Sequence, residues 1–164
     1  MRVLGIDPGT AACGFGMVES QRGQLRALEF GWWSTSSSMT LETRLLRIHD
    51  EVAAAIERHQ PDAVAVEESF VGADPRTALA VGQARGAILV AAARAGLPCS
   101  EYPPATVKQA VCGYGRAEKA QVQRMVRAIL RLDEDPKPHH AADALAVAIC
   151  HALGSPMLAA GAGR

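Results

Sequence analysis

Two short apolar runs, each closed by a carboxylate, constrain this chain more than any other feature. Residues 3–6 (Val-Leu-Gly-Ile) lead into Asp7, and residues 63–66 (Ala-Val-Ala-Val) lead into Glu67. Runs this short with no polar alternation fit inner strands buried on both faces, and therefore a sheet with helices above and below it. Pro8-Gly9 ends the first run, because proline presets the first angle of a turn and glycine accepts the positive one. In layered sheets of this kind ligands collect outside the carboxyl ends of the parallel strands, where both acids sit.

The neighbouring segments complete the layers. Cys13, Phe15 and Met17 alternate with Gly14, Gly16 and Val18, which predicts a strand with one nearly bare face. Residues 25–33, after a turn at Gly23, supply a third strand and close an antiparallel meander. From Thr40 the period lengthens: Leu45, Ile48, Val52 and Ile56 recur at three- and four-residue steps and predict a helix over 41–59. Asp74-Pro75 reads as a helix start, with Asp as cap and Pro in the first position, and Gly96 as its stop. Inside that helix Gly82 and Gly86 lie on one face, a sign of close approach to another backbone. Core packing and a helix-mediated dimer both account for it. Residues 97–102 form a fifth strand, 117–132 a helix with Val122, Met125, Val126 and Ile129 inward, and 139–153 a last helix. The expected fold class is α/β, a mixed five-stranded sheet flanked by helices. Residues 1–154 form one domain and residues 155–164 a flexible C-terminal tail.

Composition bounds the function. At 164 residues and 49% hydrophobic the chain can bury a real core. Its apolar stretches fall short of the ~20 residues that span a bilayer, and the N-terminus lacks a secretory pattern, so a cytoplasmic location without membrane attachment is expected. Cys13, Cys99, Cys112 and Cys150 include no Cys-x-x-Cys pair, which disfavours a zinc ribbon, a redox motif or a disulfide framework. The 17 Lys plus Arg balance 17 Asp plus Glu, and on its face this argues against a nucleic-acid partner, since phosphates are neutralised by basic side chains. The charge is unevenly placed, however. Residues 106–131 carry Lys108, Arg116, Lys119, Arg124, Arg127 and Arg131 against the single acid Glu118, and Lys119, Gln123, Arg127 and Arg131 recur four apart on one helix face. Such a stripe suits a phosphate backbone, although an ordinary solvated face has the same pattern.

His140 and Asp143, three apart at the start of the last helix, share a face. If the strands ending in Asp7 and Glu67 are neighbours, Asp7, Glu67, His140 and Asp143 form one cluster. Acids so gathered repel one another and need a cation unless protonated. Oxygen donors favour Mg²⁺ or Mn²⁺, and two ions per site suit phosphodiester hydrolysis. Taken singly, each acid is equally a surface or capping residue, and Asp143 would be stabilised in a first helical turn with no catalytic role. His139 points about 100° further round the helix and is a weaker candidate than His140. Glu68 points to the opposite face from Glu67, and His49, His59 and His151 read as surface or packing residues.

Gly5-Ile6-Asp7-Pro8-Gly9-Thr10, Val66-Glu67 followed by Phe70, Gly82-Gln83-Ala84-Arg85-Gly86, Val107-Lys108-Gln109, Ala117-Glu118-Lys119 and His140-Ala141-Ala142-Asp143-Ala144-Leu145-Ala146 recur here as an ordered set. In order and spacing this set resembles the RuvC family of Holliday junction resolvases, over residues 1–153. The resemblance implies a ribonuclease H-like fold and a homodimer acting on four-way DNA junctions. It implies paired nicks in strands of like polarity that leave 5′-phosphate and 3′-hydroxyl ends, in recombination and repair, and cooperation with RuvA and RuvB. Asp7, Glu67 and Asp143 become metal-binding catalytic carboxylates. His140 stands where one form of the motif carries Asp, and other relatives are similar to this chain in having His. Lys108 and Lys119 match positions that handle DNA near the scissile phosphate. They are two of only three lysines in the chain. Phe70 resembles the family aromatic that wedges against junction bases, and Arg76, Arg124 and Arg127 are further candidates for phosphate contacts. Two rivals stay open: a junction-binding protein impaired in catalysis by His140, and an actin-like or sugar-kinase ATPase. The ATPases need two related lobes, and this length supplies one.

Overall fold

A computed structural model of the chain describes residues 1–68 and 74–161, with side chains to Gly154. Strands β1 (Arg2–Asp7), β2 (Ala12–Gln21) and β3 (Gln24–Ser34) form the expected meander. They are followed by α1 (Leu41–His59), β4 (Ala63–Glu67), α2 (Pro75–Arg94), β5 (Cys99–Tyr102), α3 (Pro104–Cys112), α4 (Lys119–Leu130) and α5 (His139–Gly161). The sheet order is β3-β2-β1-β4-β5, antiparallel across β3, β2 and β1 and parallel across β1, β4 and β5. The two strands that end in carboxylates are therefore direct neighbours, with Ile6 opposite Val66.

Alternation along the strands sorts the side chains into two cores. Leu4, Ile6, Cys13, Phe15, Met17, Val64 and Val66 face α1 and α2, while Val3, Val18 and Ala65 face α3, α4 and α5. Asp7 follows Val3 at an even spacing, and Glu67 follows Ala65, so both acids fall on the α5 side. That side of β1 and β2 is where the bare positions lie. A Cβ built on Gly14 would overlap the main-chain carbonyl of His140. One on Gly5 would overlap the carbonyl of Ala144 and lie 2.8 Å from the nitrogen of Ala148. On Gly16 it would stand 2.7 Å from Leu145 Cδ2. Glycine thus lets α5 lie directly on the strand backbones.

The end signals largely hold. Asp74 caps α2, accepting from the main-chain N–H groups of Arg76 and Thr77 at 3.1 and 3.3 Å. The basic helix is shorter than the expected 117–132. It runs from Lys119 to Leu130, and Arg131 takes a left-handed conformation (φ 53°) as its cap, which removes Arg131 from the helical row. Helix α5 continues to Gly161, past the expected end at Leu153. Helix α3 was not expected; Pro104 in its first turn and the left-handed Gly113 at its end are its local signals.

Gly14→Ala should destabilise the protein by about 3 kcal/mol or more, because the added methyl meets main chain that cannot rotate away. Gly23, whose Cβ would meet nothing within 4 Å among the described residues, serves as the control at a turn. Gly23→Asn, at the positive φ that Asn tolerates, should stay within about 1 kcal/mol of the parent in urea denaturation.

Candidate active site

Each element brings one part to the carboxyl edge of the sheet. β1 ends in Asp7 and β4 in Glu67, side by side in the parallel ladder. The first turns of α5, seated on Gly14, bring His140 and Asp143 over them. His140 Nδ1 donates to Asp7 Oδ2 at 2.7 Å. Across from the acids, α3 and α4 contribute Lys108 and Lys119, and Lys119 Nζ lies 3.9 Å from Asp143 Oδ2. Glu67, Asp143, Lys108 and Lys119 line one cleft of about 240 Å³ whose walls are completed by Pro104, Val107, Val122 and Ala146.

Burial sets the electrostatics. It raises the proton affinity of Glu67, and repulsion from Asp7 and Asp143 adds to it, so that its pKa is pushed up to about 7 despite Lys119 and Lys108. Asp7 is likewise raised, first by burial and then by Asp143, against the hydrogen bond from His140. Asp143 is raised by burial, with Lys119 and His140 opposing. Among the described residues no three His, Cys, Asp or Glu side chains already close around a cation-sized point. The donor chemistry nevertheless fits a divalent cation: three half-buried carboxylates that resist simultaneous ionisation, beside one imidazole.

The other anticipated residues are more widely spread. Arg124 is exposed on α4. Arg127 lies two turns beyond Lys119, where it pairs with Asp135 at 3.6 Å and donates to the Leu132 carbonyl at 3.3 Å. Arg76 is exposed in the first turn of α2, the helix that follows β4. Phe70 lies outside the described residues. Glu68 is exposed, and its main-chain N–H donates to the Tyr102 carbonyl at 2.8 Å. His151 is buried and hydrogen-bonded to the Tyr102 hydroxyl at 2.8 Å, tying α5 to β5. A lone histidine in an alanine-rich helix gave no hint of that partner. A larger groove of about 610 Å³ lies by the β2–β3 turn, away from the acids, and its Glu19 is already held by Arg2 and Arg26.

A mixed five-stranded sheet of this order, with acids at the ends of two neighbouring parallel strands, places the chain in the ribonuclease H-like class. Over residues 3–151 the chain matches the family model "Crossover junction endodeoxyribonuclease RuvC". The chain belongs to that family. It is 55% identical over 156 residues to the RuvC of Moorella thermoacetica, covering 95% of this chain and 93% of that one. It is 57% identical over 150 residues to the RuvC of Heliobacterium modesticaldum, covering 92% and 93%. The solved structure of Thermus thermophilus RuvC in complex with Holliday junction substrate is 45% identical, with a TM-score of 0.92 over 96% of both chains. The yeast mitochondrial Holliday junction resolvase Ydc2 shares the fold at 12% identity, with a TM-score of 0.69 over 97% of this chain and 80% of that one.

The raised pKa of Glu67 makes its ionisation a cost to the folded state. The penalty is absent below the unfolded value near 4.5, grows as pH rises, and is complete above about 7. With chelator present, Glu67→Gln should therefore stabilise the protein at pH 8 by up to about 2 kcal/mol and leave it nearly unchanged at pH 4.5, as read by denaturant titration at both pH values.

Proposed function

We propose that the chain is a metal-dependent endonuclease that resolves four-way DNA junctions. The cleft between the buried acids and the two lysines carries this reading, since it combines donors for a cation with cations for a phosphate. Asp7, Glu67, Asp143 and His140 would hold Mg²⁺ or Mn²⁺, two ions per site. When bound, the metal would neutralise the acids and supply Lewis acidity toward water. The remaining chemistry belongs to the side chains. His140, fixed by its hydrogen bond to Asp7, orients that carboxylate. Lys108 and Lys119 draw the backbone phosphate into the cleft and offset the charge that builds on it as water attacks phosphorus. The P–O3′ bond breaks, leaving a 3′-hydroxyl and a 5′-phosphate. Phe70, Arg76, Arg124 and Arg127 are proposed to contact the junction arms.

Two coordinated nicks call for two such sites, and α2 offers the face for a homodimer. Among the described residues a Cβ on Gly82 or Gly86 would meet nothing within 4 Å, which speaks against core packing as the reason for these glycines. On the same face Leu79 is 65% exposed and Val90 53%, in line with the glycines at helical spacing. A second copy of α2 packed there would cover all four. Family membership supports a proposed role in recombination and repair, alongside RuvA and RuvB in the cytoplasm. No helix among the described residues is long and apolar enough to cross a membrane.

A synthetic four-way junction should be cut into nicked duplexes with Mg²⁺ or Mn²⁺, and binding without nicking in either metal would favour the impaired junction binder. Asp7→Asn should lower cleavage at least a hundredfold while junction affinity holds in an electrophoretic shift. Gly82→Arg should yield a monomer in light scattering, and in a cleavage time course the nicks in the two strands of a junction should no longer be coupled.

A further inference from the structure

Beside the active-site cleft lies a second groove, of about 510 Å³, lined by Trp32, Gln123, Lys137, Pro138 and His139. Three observations connect it to the cleft. Gln123 is one turn after Lys119 on the same side of α4, and its side chain holds the groove wall by donating to the Pro136 carbonyl at 2.6 Å. His139 adjoins His140, the residue bonded to Asp7. The chain has three lysines: two line the cleft, and the third, Lys137, lines this groove. No carboxylate contributes to its lining, in contrast to the cleft.

Trp32 is the unusual member. It lies on β3, an edge strand, opposite Gly14, and so on the face that carries α5. Its neighbour Trp33 faces the other way and stacks on Phe15, with centroids 4.5 Å apart and planes 7° from parallel. Trp33 thus belongs to the core, whereas Trp32 is left 52% exposed. An exposed indole with a lysine and an imidazole beside it provides a stacking surface and a phosphate partner, the two elements by which single-stranded nucleic acid is held without regard to sequence.

We propose that this groove is a DNA subsite, in which Trp32 stacks on a base of the strand leaving the cleft and Lys137 contacts that nucleotide's phosphate. The inference rests on the junction-nuclease reading and extends it, since a stackable base is available where pairing is interrupted at the branch point. Trp32 and Lys137 are then positioning residues: they hold the strand and touch no reacting atom.

The test uses full-length protein with Ca²⁺ in place of Mg²⁺, and two independent reporters. In Trp33→Phe protein, which retains a ring against Phe15, the remaining fluorescence comes from Trp32 and should be quenched as a four-way junction is added. Anisotropy of a dye-labelled junction, with the parent tryptophans present, should show roughly tenfold weaker binding for Trp32→Ala, and recovery for Trp32→Phe. Lys137→Ala should reduce the salt dependence of binding by about one counterion. Saturation of the anisotropy signal with unchanged Trp32 fluorescence and parental affinity for Trp32→Ala would overturn the subsite while leaving junction binding intact. If the parent protein produces no anisotropy change at all, the junction reading itself fails, and this inference with it.

Discussion

Helix α5 rests on bare main chain, and that single contact decides where the chemistry can be. Gly5, Gly14 and Gly16 leave the middle of one face of β1 and β2 without side chains, so the helix backbone comes down against the strand backbone. Close approach of this kind gains dispersion contacts over the whole contact length and leaves no space for water. It also fixes the helix in height and rotation. His140 and Asp143, in the first turns, are thereby held beside Asp7 and Glu67 without any loop to position them. The amino-terminal end of α5 faces the acids as well, and its partial positive charge eases their mutual repulsion.

The site is built against its own stability. Three acids share a half-buried edge, and each binds its proton more tightly than it would in water. Sites that bind cations commonly carry such a burden, which the bound ion relieves. The lysines do not form tight pairs with the acids. The nearest approach, Lys119 to Asp143, is 3.9 Å, and the Lys119 side chain is 74% exposed. At that exposure the pair contributes little to folding, and the ammonium group stays open to solvent at the cleft.

Much of this was legible from residue order. The meander, α1 and the acid-ended strands follow from periodicity and turn chemistry, and the paired acids follow once β1 and β4 are neighbours. Adjacency itself is a long-range fact that no local pattern contains; the ordered motif set supplied it. Helix α3 escaped notice because Pro103-Pro104 reads as a break, although Pro104 also suits a first helical turn. Arg131 continues the four-residue spacing of the basic row, but its backbone turns left-handed and leaves the helix, which the spacing does not reveal. In sequence, the glycines of α2 and those under α5 alike mark bare faces suited to close approach. Their packing differs in three dimensions, where one pair meets nothing among the described residues and the other set faces a helix.

The glycines under α5 also limit how this protein can change. Where a substitution collides chiefly with a side chain, a smaller residue at the second position relieves most of the clash; Gly16 is such a case, with Leu145 Cδ2 at 2.7 Å and the Leu145 Cα at 3.0 Å. At Gly14 and Gly5 the obstructing atoms include the carbonyls of His140 and Ala144, which every amino acid would place there. No exchange at 140 or 144 can remove them. A search for suppressor mutations should therefore find second-site partners for position 16 and none at the opposing residue for positions 14 and 5, making these two glycines evolutionary dead ends rather than members of a covarying pair.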